Sequence, residues 1–350
     1  MPTRLVARAV RGVEELVAEE IHGRGIGVVD RIGHREVHFT TADPATALTA
    51  LSTADDVLLF ATSVAGIGDT KADLARLRGG LTSMDAPGLM AQRRRLGGVA
   101  PHGGIDVSAS FVGRRRFGRF DIEDAVGGYL AAALRLPYHS RRAGARPPAG
   151  TCAWRVTLDG PLATVALRVA DRPSHRRGYK RATVPGTLHP PLAAAMVRLA
   201  EPRAGHTVVD PCCGAGTLLI EAGIAVPGLR LLGADRDEAA LRAARDNADG
   251  VSVTWLPADA ARLPLATASA DRLLVNPPWG RQVPPRGALA ARPEGLWAQA
   301  RRVLRPDGRL VALLHDADGV QAVARHGFTV THTGTIRLAG TLTTLLVASS

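Results

Sequence analysis

Cysteine, lysine and long apolar runs are all scarce in this 350-residue chain, and each scarcity excludes a class of protein. Three cysteines, Cys152, Cys212 and Cys213, cannot build a disulfide framework, and without a C-x-x-C they offer no zinc spacing. The 11 histidines show no paired metal spacing either, so no metal is expected. No apolar run approaches the roughly 18 residues that span a bilayer. The first 20 residues carry four glutamates where a signal peptide needs an apolar core, which makes a soluble, cytoplasmic protein the expectation. Lys71 and Lys180 are the only lysines among 44 basic residues, so the net charge of +12 is carried by arginine. A phosphate loop, internal repeats and low-complexity segments are also missing. What is present, 46% apolar residues, is enough for each of two or three domains to bury its own core.

The positive charge is unevenly placed. Residues 1–60 hold 6 basic against 9 acidic side chains, residues 61–172 hold 17 against 9, and residues 173–350 hold 21 against 14. A field of this kind suits a polyanion, with nucleic acid the commonest, although an arginine-rich solvated surface would look the same. Segments 1–60 and 61–172 each read as a small α+β unit. Asp121 is placed to cap a helix running to Leu134, and residues 154–170 read as a hairpin turning at Asp159-Gly160. From about 185, strand-like runs at 206–210, 229–235, 251–259, 271–276 and 308–315 alternate with helical segments. Two closing strands then form a hairpin. This is the pattern of a doubly wound, Rossmann-like α/β sheet, which binds ligands at the carboxyl ends of its strands.

Those strand ends carry the chemistry. The first runs Asp210-Pro211-Cys212-Cys213-Gly214-Ala215-Gly216-Thr217 into a helix, a turn that lets a ligand approach the backbone closely. Its spacing is not that of a dinucleotide fingerprint, because Leu219 stands at the third glycine position. Asp235 ends the second strand, where a carboxylate can accept from ribose hydroxyls or cap the next helix. Asp259-Ala260 ends the third, where an acceptor can hold an adenine amine or again cap a helix. The fourth ends in Asn276-Pro277-Pro278-Trp279. An exocyclic amine on a base is a poor nucleophile, since its lone pair is delocalised into the ring. The Asn276 side-chain oxygen and the Pro277 carbonyl can accept both its hydrogens and favour the pyramidal form that attacks, with Trp279 as a stacking face.

Together these four motifs resemble the class I S-adenosylmethionine-dependent methyltransferases, in particular the amino-methylating branch with an Asn-Pro-Pro-aromatic motif. The resemblance implies a seven-stranded catalytic domain over 173–350. There Asp210, Cys212, Gly214, Gly216, Thr217, Asp235, Asp259, Ala260 and Asn276 hold the cofactor, with the methionine part at Gly214/Gly216, and 276–279 hold the target amine. The lead-in Arg176-Arg177-Gly178-Tyr179-Lys180 and the helix after Leu188 are similar to those of RNA guanine-N2 methyltransferases. That resemblance implies an N-terminal ferredoxin-like domain (1–60) and a THUMP RNA-binding domain (61–172).

Arg114, Arg115, Arg116 and Arg119 would then meet phosphates, with Phe117 or Phe120 available to stack, and Arg281 with the loop 282–293 could close over the acceptor stem. The implied partner is the acceptor stem and 3′ end of tRNA, modified at position 6 by a monomeric enzyme that needs no metal or membrane. Cys212 and Cys213 are expected to pack behind the cofactor, since a cytosine-C5 enzyme would need its thiol where Asn276 stands. His189 reads as a helix cap. Three alternatives stay open: an adenine-N6 methyltransferase, an rRNA guanine-N2 methyltransferase, or a catalytically silent RNA-binding protein of the same fold.

Overall fold

The computed structural model describes residues 2–278, 284, 286–315, 317–338 and 340–350. The chain divides into two compact units, residues 1–9 with 14–174 and residues 10–13 with 175–350.

The first unit comprises β1 (Thr3–Arg8), α1 (Glu14–Gly23), β2 (Val28–Gly33), β3 (Glu36–Thr41), α2 (Pro44–Ala50), β4 (Asp56–Val64), α3 (Asp73–Gly80), α4 (Ala86–Arg95), β5 (Ile105–Phe111), α5 (Arg119–Leu134), β6 (Cys152–Asp159) and β7 (Leu162–Arg168). Its strands form one sheet in the order β2-β3-β1-β4-β7-β6-β5. A division at residue 60 falls inside β4, whose pairing with β7 joins the two N-terminal segments. The main core runs from Leu5 to Val169, with Trp154, Phe39 and Ile122 fully buried. The β6–β7 hairpin turns at Gly160 as its sequence predicts. Asp121 lies one turn later than expected: Gly118 is the N-cap of α5, and the Asp121 carboxylate accepts its N–H at 2.8 Å. Helix α4 is an addition to the sequence reading. Asp85 caps it by accepting from Gly88 N at 2.9 Å.

The second unit comprises α6 (Pro190–Ala200), β8 (Thr207–Asp210), α7 (Thr217–Ala225), β9 (Arg230–Asp235), α8 (Glu238–Asn247), β10 (Thr254–Pro257), β11 (Ala270–Val275), α9 (Ala288–Ala291), α10 (Gly295–Val303), β12 (Leu304–Leu314), α11 (Ala317–Arg325), β13 (Thr329–Leu338) and β14 (Thr341–Ser349). The sheet order is β10-β9-β8-β11-β12-β14-β13. Strands β8 to β12 pair in parallel, and β14 pairs antiparallel with both β12 and β13. From β8 the chain winds outward first through β9 and β10, then through β11 and β12, so the topological switch lies between β8 and β11. Both faces of the parallel strands are covered, which is why Val208, Val209 and Leu273 to Val275 form near-continuous apolar runs. No described helix is long and apolar enough to cross a membrane.

Candidate active site

The switch point opens into a cavity of about 920 Å³. Asp210, Cys212, Cys213, Gly214, Thr217, Asp235, Asp259, Ala260, Asn276, Pro277 and Pro278 line it, so the strand-end residues named from sequence converge on one space. Gly216 stands just behind, as the N-cap of α7 with φ +80°. A Cβ there would meet the Trp255 ring at 2.7 Å and Ala244 Cβ at 3.2 Å, so only glycine both adopts the conformation and fits. Trp279 and Arg281 lie outside the described residues, as do positions 282, 283 and 285.

Of the two roles weighed for Asp235, the helix cap falls to another residue. Asp237, not Asp235, is the N-cap of α8, accepting from Ala239 N at 2.8 Å. Asp235 instead accepts from Gly214 N (2.9 Å) and Asp237 N (2.9 Å), fixing the glycine turn against β9. Asp259 takes Ala261 N on one oxygen and Ala288 N on the other, both at 2.9 Å, which anchors α9 beside β10. Asn276 sits at the end of β11, with its Nδ2 3.5 Å from the Gly186 carbonyl. The Cys212 thiol points at the Asn276 carbonyl, Sγ to O 3.6 Å. Both Cys212 and Cys213 line the cavity rather than packing behind it. Burial pushes both thiols well above the ordinary cysteine range, which disfavours the nucleophilic thiolate. His189 occupies the N-cap position of α6, yet its side chain caps nothing and lines the cavity.

Asp210 is the most buried of the acids lining the cavity, 1% exposed. Burial pushes its pKa up to about 8, opposed by the Cys212 N–H at 3.1 Å and reinforced by the Asp235 charge. A group so placed is largely protonated at neutral pH until a cation arrives. The stability conferred by that proton is full below the unfolded carboxylate range and is lost as pH rises through about 8. A ligand bringing an ammonium group to Asp210 should therefore release a proton on binding. Calorimetry of S-adenosylhomocysteine at pH 7, in buffers of different ionisation enthalpy, should show close to one proton released by the native protein and none by Asp210→Asn.

The arginine cluster of the first unit is only partly available. Arg114, Arg116 and Arg119 are exposed, and Arg119 lies over the Phe120 ring at 4.6 Å. Arg115 is turned inward onto the carbonyls of Gly68 (2.7 Å), Ile67 (3.5 Å) and Gly160. Phe117 is 3% exposed and packs near Phe111, so of the two candidate stacking rings the half-buried Phe120 remains.

A doubly wound seven-stranded sheet ending in an antiparallel hairpin, with acidic strand ends and an Asn-Pro-Pro turn around one cavity, defines a class I S-adenosylmethionine-dependent methyltransferase. The residues present fit that cofactor. Gly214 adopts φ +52° and a Cβ on it would find nothing nearer than 3.9 Å, leaving room for close approach to the turn, while Asp210 is a buried carboxylate suited to an ammonium group.

Residues 177–343 match the RMKL-like methyltransferase domain family. The chain is 31% identical over 249 residues to the tRNA (guanine(6)-N2)-methyltransferase of Thermus thermophilus, covering 68% of this chain and 70% of that protein. The crystal structure of TrmN from Thermus thermophilus superposes with a TM-score of 0.76 at 26% identity, over 99% of both chains. A methyltransferase complexed with SAH has the same fold, at a TM-score of 0.69 and 18% identity, over 99% of this chain and 97% of that one. The chain belongs to this family of S-adenosylmethionine-dependent RNA methyltransferases, and S-adenosylmethionine is its cofactor.

Proposed function

We propose that this enzyme methylates the exocyclic N2 amine of a guanosine in tRNA, in the acceptor stem at position 6. The observation that carries the reading is the convergence of Asp210, Asp235, Asp259 and Asn276-Pro277-Pro278 on one cavity at the ends of four strands. The name of the Thermus relative supports guanine-N2 chemistry on tRNA. When bound, S-adenosylmethionine supplies an electrophilic methyl group. Gly214, Gly216, Thr217 and Cys212 border its amino-acid end, Asp235 takes the ribose, and Asp259 with Ala260 takes the adenine. Asn276 and Pro277 accept from the flipped guanine's amine, Pro278 stiffens the turn, and Trp279 stacks on the base.

The first unit serves as a ferredoxin-like segment (1–60) joined to a THUMP segment (61–172). Exposed Arg114, Arg116 and Arg119 meet RNA phosphates there, and Arg281 closes over the acceptor stem. The working form is a cytoplasmic monomer. The test is methyl transfer from labelled S-adenosylmethionine to unmodified tRNA, rRNA fragments and duplex DNA in parallel, with nucleoside analysis. N2-methylguanosine in tRNA alone is expected. N6-methyladenosine, or product in rRNA or DNA only, would overturn the substrate assignment.

A further inference from the structure

The segment leading into α6 is held down by two buried polar side chains. Glu221 of α7 accepts from Arg177 Nε at 3.0 Å and from the Tyr179 hydroxyl at 2.7 Å through the same oxygen. Two residues further on, Asn247 at the end of α8 takes over. Its Oδ1 accepts from Arg181 N and Ala182 N, both at 2.9 Å, and its Nδ2 donates to the carbonyls of Ala182 (2.9 Å) and Ala215 (3.1 Å). Two donors and two acceptors are the full capacity of an amide, and Asn247 has no exposed surface. One side chain therefore joins the lead-in segment to the glycine turn.

Lys180 stands between the two anchors. It lines the cofactor cavity, as Gly214 and Thr217 do, and its Nζ donates to the Leu188 carbonyl at 3.2 Å, using one of an ammonium's three donors. The cavity's carboxylates are unevenly placed, although Arg236 and Arg286 also line it. Asp235 and Asp259 occupy the side of β9 and β10, which suits donors such as hydroxyls and an amine. The opposite side carries the backbone amides that open α7, a helix with no acidic residue in its first turn, which suits an anion. Lys180 is pinned to that side through Glu221 of α7 and, by way of Asn247, through Ala215. In a chain that otherwise uses arginine almost throughout, a compact point charge is retained here.

We propose that Lys180 contacts the carboxylate of the cofactor's amino-acid moiety, and that Glu221 and Asn247 are positioning residues that deliver it. The inference rests on the cofactor assignment and is independent of the RNA substrate. Burial lowers the lysine pKa, with the Glu221 charge opposing, so a carboxylate partner also stabilises the charged form.

The test compares S-adenosylhomocysteine with 5′-methylthioadenosine, which keeps the adenosine and sulfur but lacks the amino-acid moiety. Lys180→Met should weaken S-adenosylhomocysteine binding about 10- to 100-fold and leave 5′-methylthioadenosine within about twofold of the native Kd. Asn247→Ala should give the same selective loss at smaller size. Retained 5′-methylthioadenosine binding shows that a variant is folded. Equal loss of both ligands, or loss of neither, would overturn the role of Lys180. Failure of the native protein to bind either ligand would instead overturn the cofactor assignment.

Discussion

Asn276→Ala is expected to lower the rate of methyl transfer by about 10²- to 10³-fold while leaving the Kd for S-adenosylhomocysteine within about threefold. The split follows from where the residue sits. Asn276 ends β11, on the far side of the switch point from Asp235 and Asp259, so its side-chain oxygen can act on the target amine without bearing on the adenosine. An acceptor held rigidly by the prolines that follow is made before the reaction and needs no reorganisation during it, which is why its loss falls on turnover. The Asn276 amide also approaches the Gly186 carbonyl at 3.5 Å, in the segment that borders the cavity. A purely structural Asn276 would therefore loosen the cavity wall and weaken cofactor binding as much as it slows turnover. Single-turnover rates and calorimetry on the same variant distinguish the two, and a matched fall in both would refute the acceptor role.

The catalytic half was unusually legible in the sequence because a parallel sheet writes itself twice, once in apolar strands and again in the polar residues that end them. Asp210, Asp235, Asp259 and Asn276 each close an apolar run, and the fold needed only to bring four such ends together. Connections between those ends were less visible. Asn247 closes α8 as an unremarkable polar residue in sequence. Its four hydrogen bonds run to residues 32 to 66 positions away, and no local pattern encodes partners so distant.

Misreadings in the first unit have the same origin. Arg114, Arg115 and Arg116 are identical as letters, yet Arg115 alone turns onto the Gly68 and Gly160 carbonyls, and Phe117 is drawn into the core. The missed helix α4 did carry a local signal, Asp85 followed by Ala86-Pro87, an N-cap residue with proline in the first turn. The boundary at residue 60 is not a break in the sheet, because β4 serves both N-terminal segments and strand pairing is not written in composition.

Asp235 and Asp237 offer the sharpest contrast between the carboxylate proposed to hold the ribose and a capping one, because they lie two residues apart and are joined by a hydrogen bond. Asp235→Ala is expected to weaken S-adenosylhomocysteine binding about 100-fold or more. The change removes the acceptors proposed for the ribose hydroxyls, and hydrogen bonds to a charged group contribute about 1.5–3 kcal/mol each. It also releases Gly214 N, which the carboxylate holds at 2.9 Å. Asp237→Ala removes the cap on α8, a loss of about 1 kcal/mol in stability by the usual cost of an N-cap. It should lower the melting temperature by a few degrees and change the cofactor Kd by no more than about threefold. Asp235→Asn refines the comparison: an amide in that place keeps one acceptor but turns an NH₂ toward either Gly214 N–H or Asp237 N–H, so most of the affinity should still be lost. If Asp237→Ala costs as much cofactor affinity as Asp235→Ala, both carboxylates act by shaping the turn, and the ribose contact must be sought elsewhere along the cavity.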